Sequence, residues 1–123
     1  MKKILIIEDQ PALQKALGGA LADQGYNVLT ALDGEIGARM AQNEVPDIIL
    51  LDLVMPKKDG FTVLKELKSS PKTTKIPVII LSNLEGTTDV QQAIELGATT
   101  YLVKANYELG DVVKKVEEVL GTN

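Results

Sequence analysis

The chain contains no cysteine, no histidine and no tryptophan among its 123 residues. Without cysteine, neither a disulfide nor thiolate chemistry is available. Without histidine, the commonest general base and metal ligand are missing, so any reaction must use carboxylates, hydroxyls and lysine. Aromatic residues are scarce as well, with one Phe and three Tyr. The core must therefore consist of Leu, Ile, Val and Ala.

The sequence also lacks a basic cluster and a long apolar segment. The net charge is −4, and no run of Lys and Arg is long enough to neutralise a nucleic-acid backbone, so we expect no direct nucleic-acid binding. The apolar run near Met1 ends at Glu8 and Asp9, short of the about 7–15 residues of a signal peptide. We expect a cytoplasmic protein without membrane contact, folded as one domain over residues 1–123.

Short apolar strands alternate with helical segments along the chain. The run from Ile48 to Leu51 leads into Asp52 without polar interruption, which is typical of a parallel strand covered by helices on both faces. The predicted strands are residues 3–7, 27–31, 77–81 and 99–103, with a central strand that Pro46 introduces and that ends at Asp52. Three predicted helices are about 34–42, 89–96 and 107–120. Of the other two, Pro11 opens the first and Gly25 ends it, while Asp59-Gly60 open the third and Ser69-Ser70-Pro71 closes it. Five strands alternating with five helices predict an α/β fold with a doubly wound parallel sheet.

Local signals predict how some of these helices begin and pack. Asp33 is expected to cap the second helix, and Thr88 and Gln91 are spaced as a capping box for the fourth. Gly18 and Gly19 lie inside the first helix, where each costs about 1 kcal/mol relative to Ala. The glycine pair therefore predicts that this helix packs closely against a neighbour.

Polar side chains follow four of the five predicted strands. Glu8 and Asp9 follow the first, Asp52 the third, Ser82 the fourth and Lys104 the fifth. Right-handed crossovers bring these strand ends to one edge, where three carboxylates repel one another unless a pKa rises or a cation binds. An oxygen-only ligand set favours Mg²⁺. Asp52 can then serve as the nucleophile that becomes an aspartyl phosphate, with Lys104 and Ser82 contacting phosphoryl oxygens.

This ordered set of residues resembles the receiver domain of response regulators in two-component signalling, over essentially the whole chain. The matching residues are Glu8-Asp9, Asp52 followed by Met55-Pro56 and Asp59-Gly60, Ser82 after an apolar strand, and Lys104 after Tyr101. The resemblance implies a (βα)5 flavodoxin-like fold with strand order 2-1-3-4-5. It also implies that Glu8, Asp9 and Asp52 hold Mg²⁺.

The resemblance further implies a signalling function. Asp52 would accept a phosphoryl group from the phosphohistidine of a sensor histidine kinase or histidine phosphotransfer protein, and the chain would catalyse its own Mg²⁺-dependent phosphorylation and hydrolysis. Ser82 and Tyr101 would form a switch that couples phosphorylation to the surface around the fourth helix, fifth strand and fifth helix, for a downstream effector protein or domain. A weak or phosphorylation-dependent dimer through the fourth and fifth helices is compatible with this, although no paired charge pattern requires it.

The chain departs from the family pattern after Lys104, and two further positions bear on how fast the phosphoryl group is lost. The family usually has Pro after the Lys, often with a cis peptide bond, whereas this chain has Ala105. Because a non-proline cis bond costs about 3–4 kcal/mol, we expect a trans bond and a locally shifted loop. Val54 and Leu84 lie two residues after Asp52 and Ser82, where family residues control the access of water to the phosphoryl group. Apolar side chains at both positions predict slow hydrolysis.

Two other function classes stay open at this stage. One is a Mg²⁺-dependent phosphohydrolase that forms a similar aspartyl phosphate, although Val54 replaces the second acid that such enzymes typically carry. The other is a degenerate receiver that acts only as a binding module; the intact acids oppose this alternative, and Ala105 leaves it open. Structural roles also remain for two residues, since Asp9 could support the start of the first helix and Tyr101 could serve only in packing.

Overall fold

The computed structural model describes residues 1–121, so the last two residues of the predicted domain lie outside it. Strands and helices alternate over these residues, as predicted. The strands are β1 (Lys3–Ile7), β2 (Asn27–Ala31), β3 (Ile48–Leu51), β4 (Val78–Ser82) and β5 (Thr100–Val103). The helices are α1 (Pro11–Asp23), α2 (Gly34–Glu44), α3 (Gly60–Ser69), α4 (Thr87–Glu95) and α5 (Leu109–Leu120), with a 3₁₀ turn at Lys104–Asn106. No helix in this part of the chain is long and apolar enough to cross a membrane.

The strands form one parallel sheet in the order β2-β1-β3-β4-β5. This confirms the doubly wound sheet and the strand order that the resemblance implies. The order reverses between β1 and β3, where Ile7 pairs with Leu51. Because the next residues are Glu8 and Asp52, two carboxylates leave the sheet side by side at the place where ligands bind in open α/β sheets.

The sheet is buried on both faces by two apolar clusters. Leu5 and Ile7 of β1 point into the cluster shared with α2, α3 and α4. Ile4 and Ile6 point to the opposite side, into the cluster shared with α1 and α5. Helices on both faces explain why the central strands are uninterrupted apolar runs rather than alternating ones.

Some helix boundaries differ from the predicted ones. α4 begins at Thr87 with Gly86 as its N-cap and no side-chain cap, so the predicted capping box at Thr88 is wrong because Thr88 already lies inside the helix. α5 begins at Leu109 instead of residue 107, because Glu108 and Asp111 form a capping box there. The Asp33 cap is confirmed, since its side chain accepts a hydrogen bond from Ile36 N at 2.8 Å.

The prediction that Gly18 and Gly19 reflect close packing is wrong for the described part of the chain. A Cβ on Gly18 would lie 3.7 Å from Val28, an ordinary van der Waals distance, and a Cβ on Gly19 would meet nothing within 4 Å. Other glycines are the tightly packed ones. A Cβ on Gly60, the first residue of α3, would collide with the Asp52 carbonyl oxygen and lie 2.5 Å from Leu53 Cα.

We predict that Gly60→Ala lowers the free energy of unfolding by about 2 kcal/mol, because the added methyl group forces the backbone after Asp52 to move. Gly19→Ala is the matched control and should raise the free energy of unfolding by about 0.5–1 kcal/mol, since that position is helical and open. Urea denaturation measures both. Equal stabilities of the two variants would show that Gly60 is not held by this contact.

Candidate functional site

The carboxyl ends of β1 and β3 place two acids by backbone hydrogen bonds that continue the sheet. Glu8 N donates to Ala31 O at 3.0 Å, and Asp52 N donates to Ile7 O at 3.0 Å. Both acids are therefore held as if they were one more residue of their strands. Glu8 is 2% exposed and Asp52 is 5% exposed.

Lys104, directly after β5, joins these two acids. Its Nζ lies 2.9 Å from Glu8 Oε1 and 3.1 Å from Asp52 Oδ2. The second oxygens accept backbone hydrogen bonds, from Gln10 N to Glu8 Oε2 at 3.1 Å and from Val54 N to Asp52 Oδ1 at 3.3 Å. Each carboxylate oxygen of the buried pair thus has a defined partner, and the ammonium fixes the spacing of the two acids.

Asp9 completes an acidic group beside an open cavity. Oxygen atoms of Glu8, Asp9 and Asp52 all lie within 4.8 Å of one another. The adjoining cavity has a volume of about 220 Å³, and it is lined by Asp9, Gln10, Asp52, Val54, Asn83 and Lys104. Three carboxylates face one ammonium, so the site carries more negative than positive charge. An oxygen-only set with this charge fits Mg²⁺, which takes one or two carboxylates and keeps several waters.

The pKa values of both members of the Lys104–Glu8 pair are raised. For Glu8, burial raises the pKa more than hydrogen bonds from Lys104 and Gln10 N lower it, and the nearby charge of Asp52 adds to the increase. For Lys104, burial alone would lower the pKa, but the hydrogen bond to Glu8 and the charge of Asp52 outweigh it, so the pKa is raised. The raised pKa of Lys104 favours its ammonium form, and the raised pKa of Glu8 means that ionising this carboxyl has a cost that a cation would reduce.

Ser82 and Tyr101 are connected through the loop between β4 and α4. Leu84 N donates to Ser82 Oγ at 3.3 Å, and Tyr101 OH donates to Leu84 O at 2.7 Å. Ser82 is buried at the end of β4, and the next residue, Asn83, lines the cavity. The structure therefore places Asp9, Asp52 and Lys104 at the cavity, with Glu8 buried beside Lys104. Ser82 directly precedes the cavity-lining residue Asn83.

Near the cavity, the structure adds two residues that were not predicted and places a third, Leu84, away from its predicted position. Gln10 and Asn83 line the cavity although neither was predicted, and the available signal was their place directly after Asp9 and Ser82. Leu84, predicted to control water access, packs against the core cluster instead. Val54 does line the cavity and is 58% exposed. The Lys104–Ala105 peptide bond is trans, as predicted.

Known proteins match the chain over most of its length. The family model described as "Response regulator receiver domain" matches residues 4–117. The curated protein Response regulator PleD from Caulobacter vibrioides is 43% identical over 102 residues, an alignment that covers 83% of this chain and 22% of that protein. The chain therefore spans about a fifth of the length of this relative.

Solved structures match the fold over nearly the whole chain. The phosphorylated cyanobacterial phytochrome response regulator RcpA has a TM-score of 0.84 at 34% identity, covering 98% of this chain and 94% of that one. The receiver domain of sensor histidine kinase PA1611 from Pseudomonas aeruginosa PAO1 has a TM-score of 0.88 at 26% identity, covering 98% of both chains. That structure has a magnesium ion coordinated in its active site cleft.

We predict that Lys104→Met lowers the free energy of unfolding by about 3 kcal/mol at pH 7 in EDTA, because it leaves two buried carboxylates without their ammonium. Loss of the Lys104 hydrogen bond raises the Glu8 pKa further. A raised folded-state pKa favours the protonated form, so the deficit should shrink as the pH falls through that pKa toward the ordinary value of 4.5. Urea denaturation at several pH values measures this.

Lys58→Met is the matched control, because Lys58 Nζ pairs with Glu66 Oε2 at a similar distance, 2.8 Å, but at the surface. Loss of this exposed pair should lower the free energy of unfolding by about 1 kcal/mol or less, and this decrease should depend little on pH. Equal losses in the two variants would contradict the role of burial at Lys104.

Proposed function

The chain belongs to the response regulator receiver domain family, and on that premise we propose that residues 1–123 form one receiver domain that is phosphorylated on Asp52. The observation that carries the proposal is the position of the Lys104 ammonium, 3.1 Å from Asp52 Oδ2 and 2.9 Å from Glu8 Oε1 at the edge of the cavity. A carboxylate that is held next to a cation and faces open space is prepared to receive an anionic group. The proposed function is thus phosphoryl acceptance in two-component signalling.

Asp52 is the proposed nucleophile. One of its carboxylate oxygens forms a bond to phosphorus while the bond from phosphorus to the imidazole nitrogen of the donor breaks, so the electron pair leaves with the donor. Lys104 then contacts a phosphoryl oxygen by charge, and the Ser82 hydroxyl contacts another by a hydrogen bond. The donor in this proposal is the phosphohistidine of a sensor histidine kinase or histidine phosphotransfer protein.

Glu8, Asp9 and Asp52 are the proposed ligands of Mg²⁺. Their oxygens lie within 4.8 Å of one another, and the site has an excess of negative charge. When bound, the ion offsets the negative charge of the carboxylates and of the transferring phosphoryl group. Because burial raises the Glu8 pKa, metal affinity should also weaken in acid, where this ligand becomes protonated.

The proposed switch uses the hydrogen bonds between Ser82, Leu84 and Tyr101. If Ser82 turns toward a phosphoryl oxygen on Asp52, it gives up the hydrogen bond from Leu84 N. The loop can then move together with Tyr101, whose OH is bonded to Leu84 O. The change then reaches the surface of α4, β5 and α5. An effector protein or domain that prefers one arrangement of this surface would respond to phosphorylation by population shift.

We predict that the purified protein gains one phosphoryl group when incubated with Mg²⁺ and acetyl phosphate, and that Asp52→Asn does not, because the amide is not a nucleophile of this kind. Intact-mass spectrometry measures the adduct, and omission of Mg²⁺ should prevent it. Asp59→Asn is the matched control, because Asp59 caps α3 at the surface and Asn caps equally well.

The alternatives give different outcomes in the same experiment. Rapid turnover of many small phosphoesters without a lasting adduct would indicate a phosphohydrolase. A protein that forms no adduct at all would be a degenerate receiver. An adduct that persists in Asp52→Asn would place the phosphoacceptor elsewhere.

We predict that the phosphoryl group is lost slowly, because Val54 presents an apolar side chain to the cavity and orients no water. After removal of the donor, the wild-type adduct should last for minutes or longer, and Val54→Asn should shorten its lifetime by about tenfold by holding a water near the phosphorus. Val45→Asn makes the same change at an exposed valine at the end of α2 and should leave the lifetime unchanged. A wild-type lifetime of seconds would contradict the prediction.

A further inference from the structure

We infer that Gln14 of α1 is a positioning residue for the proposed metal ligands Glu8 and Asp9. The inference rests on the proposed function, and it concerns a residue that does not line the cavity. Gln14 Nε2 donates to Glu8 O at 3.2 Å and to Ala31 O at 3.0 Å. An amide nitrogen has two hydrogens, so both donors of this side chain are used on backbone carbonyls.

These two hydrogen bonds join α1 to the ends of two neighbouring strands. Ala31 is the last residue of β2, and its carbonyl also accepts Glu8 N at 3.0 Å. Glu8 is thus held at both its backbone N–H, by β2, and its carbonyl, by Gln14. The position of the Glu8 backbone at the end of β1 is therefore set by β2 and by the Gln14 side chain of α1.

Few other hydrogen bonds hold the turn between β1 and α1 in place. Its N-cap residue, Gln10, makes no side-chain capping bond, and Pro11 at the first position has no N–H. The local hydrogen bonds here are the one from Gln10 N to Glu8 Oε2 at 3.1 Å, which holds the Glu8 side chain, and the helical one from Gln14 N to Gln10 O at 3.0 Å, which does not reach the strands. Gln14 therefore supplies the side-chain link between the helix and the strand ends.

Asp9 depends on this link most directly. Among residues 1–121, its carboxylate has no hydrogen bond or ion pair, so its position follows from the backbone between Glu8 and Gln10. Mg²⁺ demands nearly octahedral ligand geometry, and residues that orient ligands from outside typically change metal affinity by 10–100-fold. A shift of this turn would separate Asp9 from the other two acids without altering their charge.

The test is Gln14→Met, which keeps the size and neutrality of the side chain but removes both donors. Titration of Mg²⁺ into ¹⁵N-labelled protein, followed by amide chemical shifts, should show a dissociation constant raised about tenfold. Phosphorylation by acetyl phosphate should return to nearly the wild-type rate at saturating Mg²⁺, because the variant affects where the ligands lie and not Asp52 itself. Gln14→Asn, too short to reach both carbonyls, should behave alike if Gln14→Met is too unstable.

Two controls separate positioning from general destabilisation. Gln91→Met makes the same chemical change on the exposed surface of α4 and should leave Mg²⁺ affinity unchanged. Thr73→Val removes a buried hydrogen bond, from Thr73 Oγ1 to Leu67 O at 2.6 Å, and should lower thermal stability but not Mg²⁺ affinity.

The outcomes distinguish this inference from the proposed function. Unchanged Mg²⁺ affinity in Gln14→Met, or an equal loss of affinity in Thr73→Val, would overturn the positioning role while leaving the proposed function intact. A wild-type protein that binds no Mg²⁺ would overturn the proposed function, and the inference with it.

Discussion

The buried ammonium of Lys104 is the interaction on which the site depends. It lies within 3.1 Å of carboxylate oxygens from two different strand ends, Glu8 after β1 and Asp52 after β3. Neither acid would be tolerated in so buried a position without a counter-charge, since an isolated buried carboxylate costs several kcal/mol. The parallel sheet meets this requirement because β5 delivers Lys104 to the same edge. At this edge of the sheet, the burial of the two acids therefore depends on the strand order that brings Lys104 beside them.

The compensation is incomplete, and this has a functional consequence. Three carboxylates share one ammonium, and burial leaves the Glu8 pKa raised even with Lys104 beside it. A divalent cation or a change of protonation would relieve the remaining repulsion. A site that was fully neutralised within the protein would gain little from Mg²⁺. The imbalance thus supports both metal binding and the sensitivity of the proposed chemistry to the metal.

Much of the fold and the acidic site follows from the sequence, because both depend on local patterns. Apolar runs ending in charged residues mark the strands, and Asp52 and Lys104 stand at strand ends. The strand order came from the resemblance, since pairing of Ile7 with Leu51 is a long-range fact that no local pattern contains. Gln14 was missed for the same reason, since its role depends on hydrogen bonds to carbonyls at the ends of two strands. Leu84 was misjudged because loop conformation decides whether a side chain faces the core or the cavity.

The two hydrogen bonds of the proposed switch differ in length, and this difference indicates which of them breaks first. The bond from Leu84 N to Ser82 Oγ is long for an N–H donor, at 3.3 Å, whereas the bond from Tyr101 OH to Leu84 O has the usual length for a hydroxyl donor, 2.7 Å. A long neutral hydrogen bond is the weaker one, and a hydroxyl that turns to an anionic oxygen gains a stronger, charge-assisted bond. In the proposed switch we therefore expect the bond between Leu84 N and Ser82 Oγ to break first, while Tyr101 OH can keep its bond to Leu84 O. The loop and Tyr101 should then move together, which links a small rotation at the site to the surface of β5.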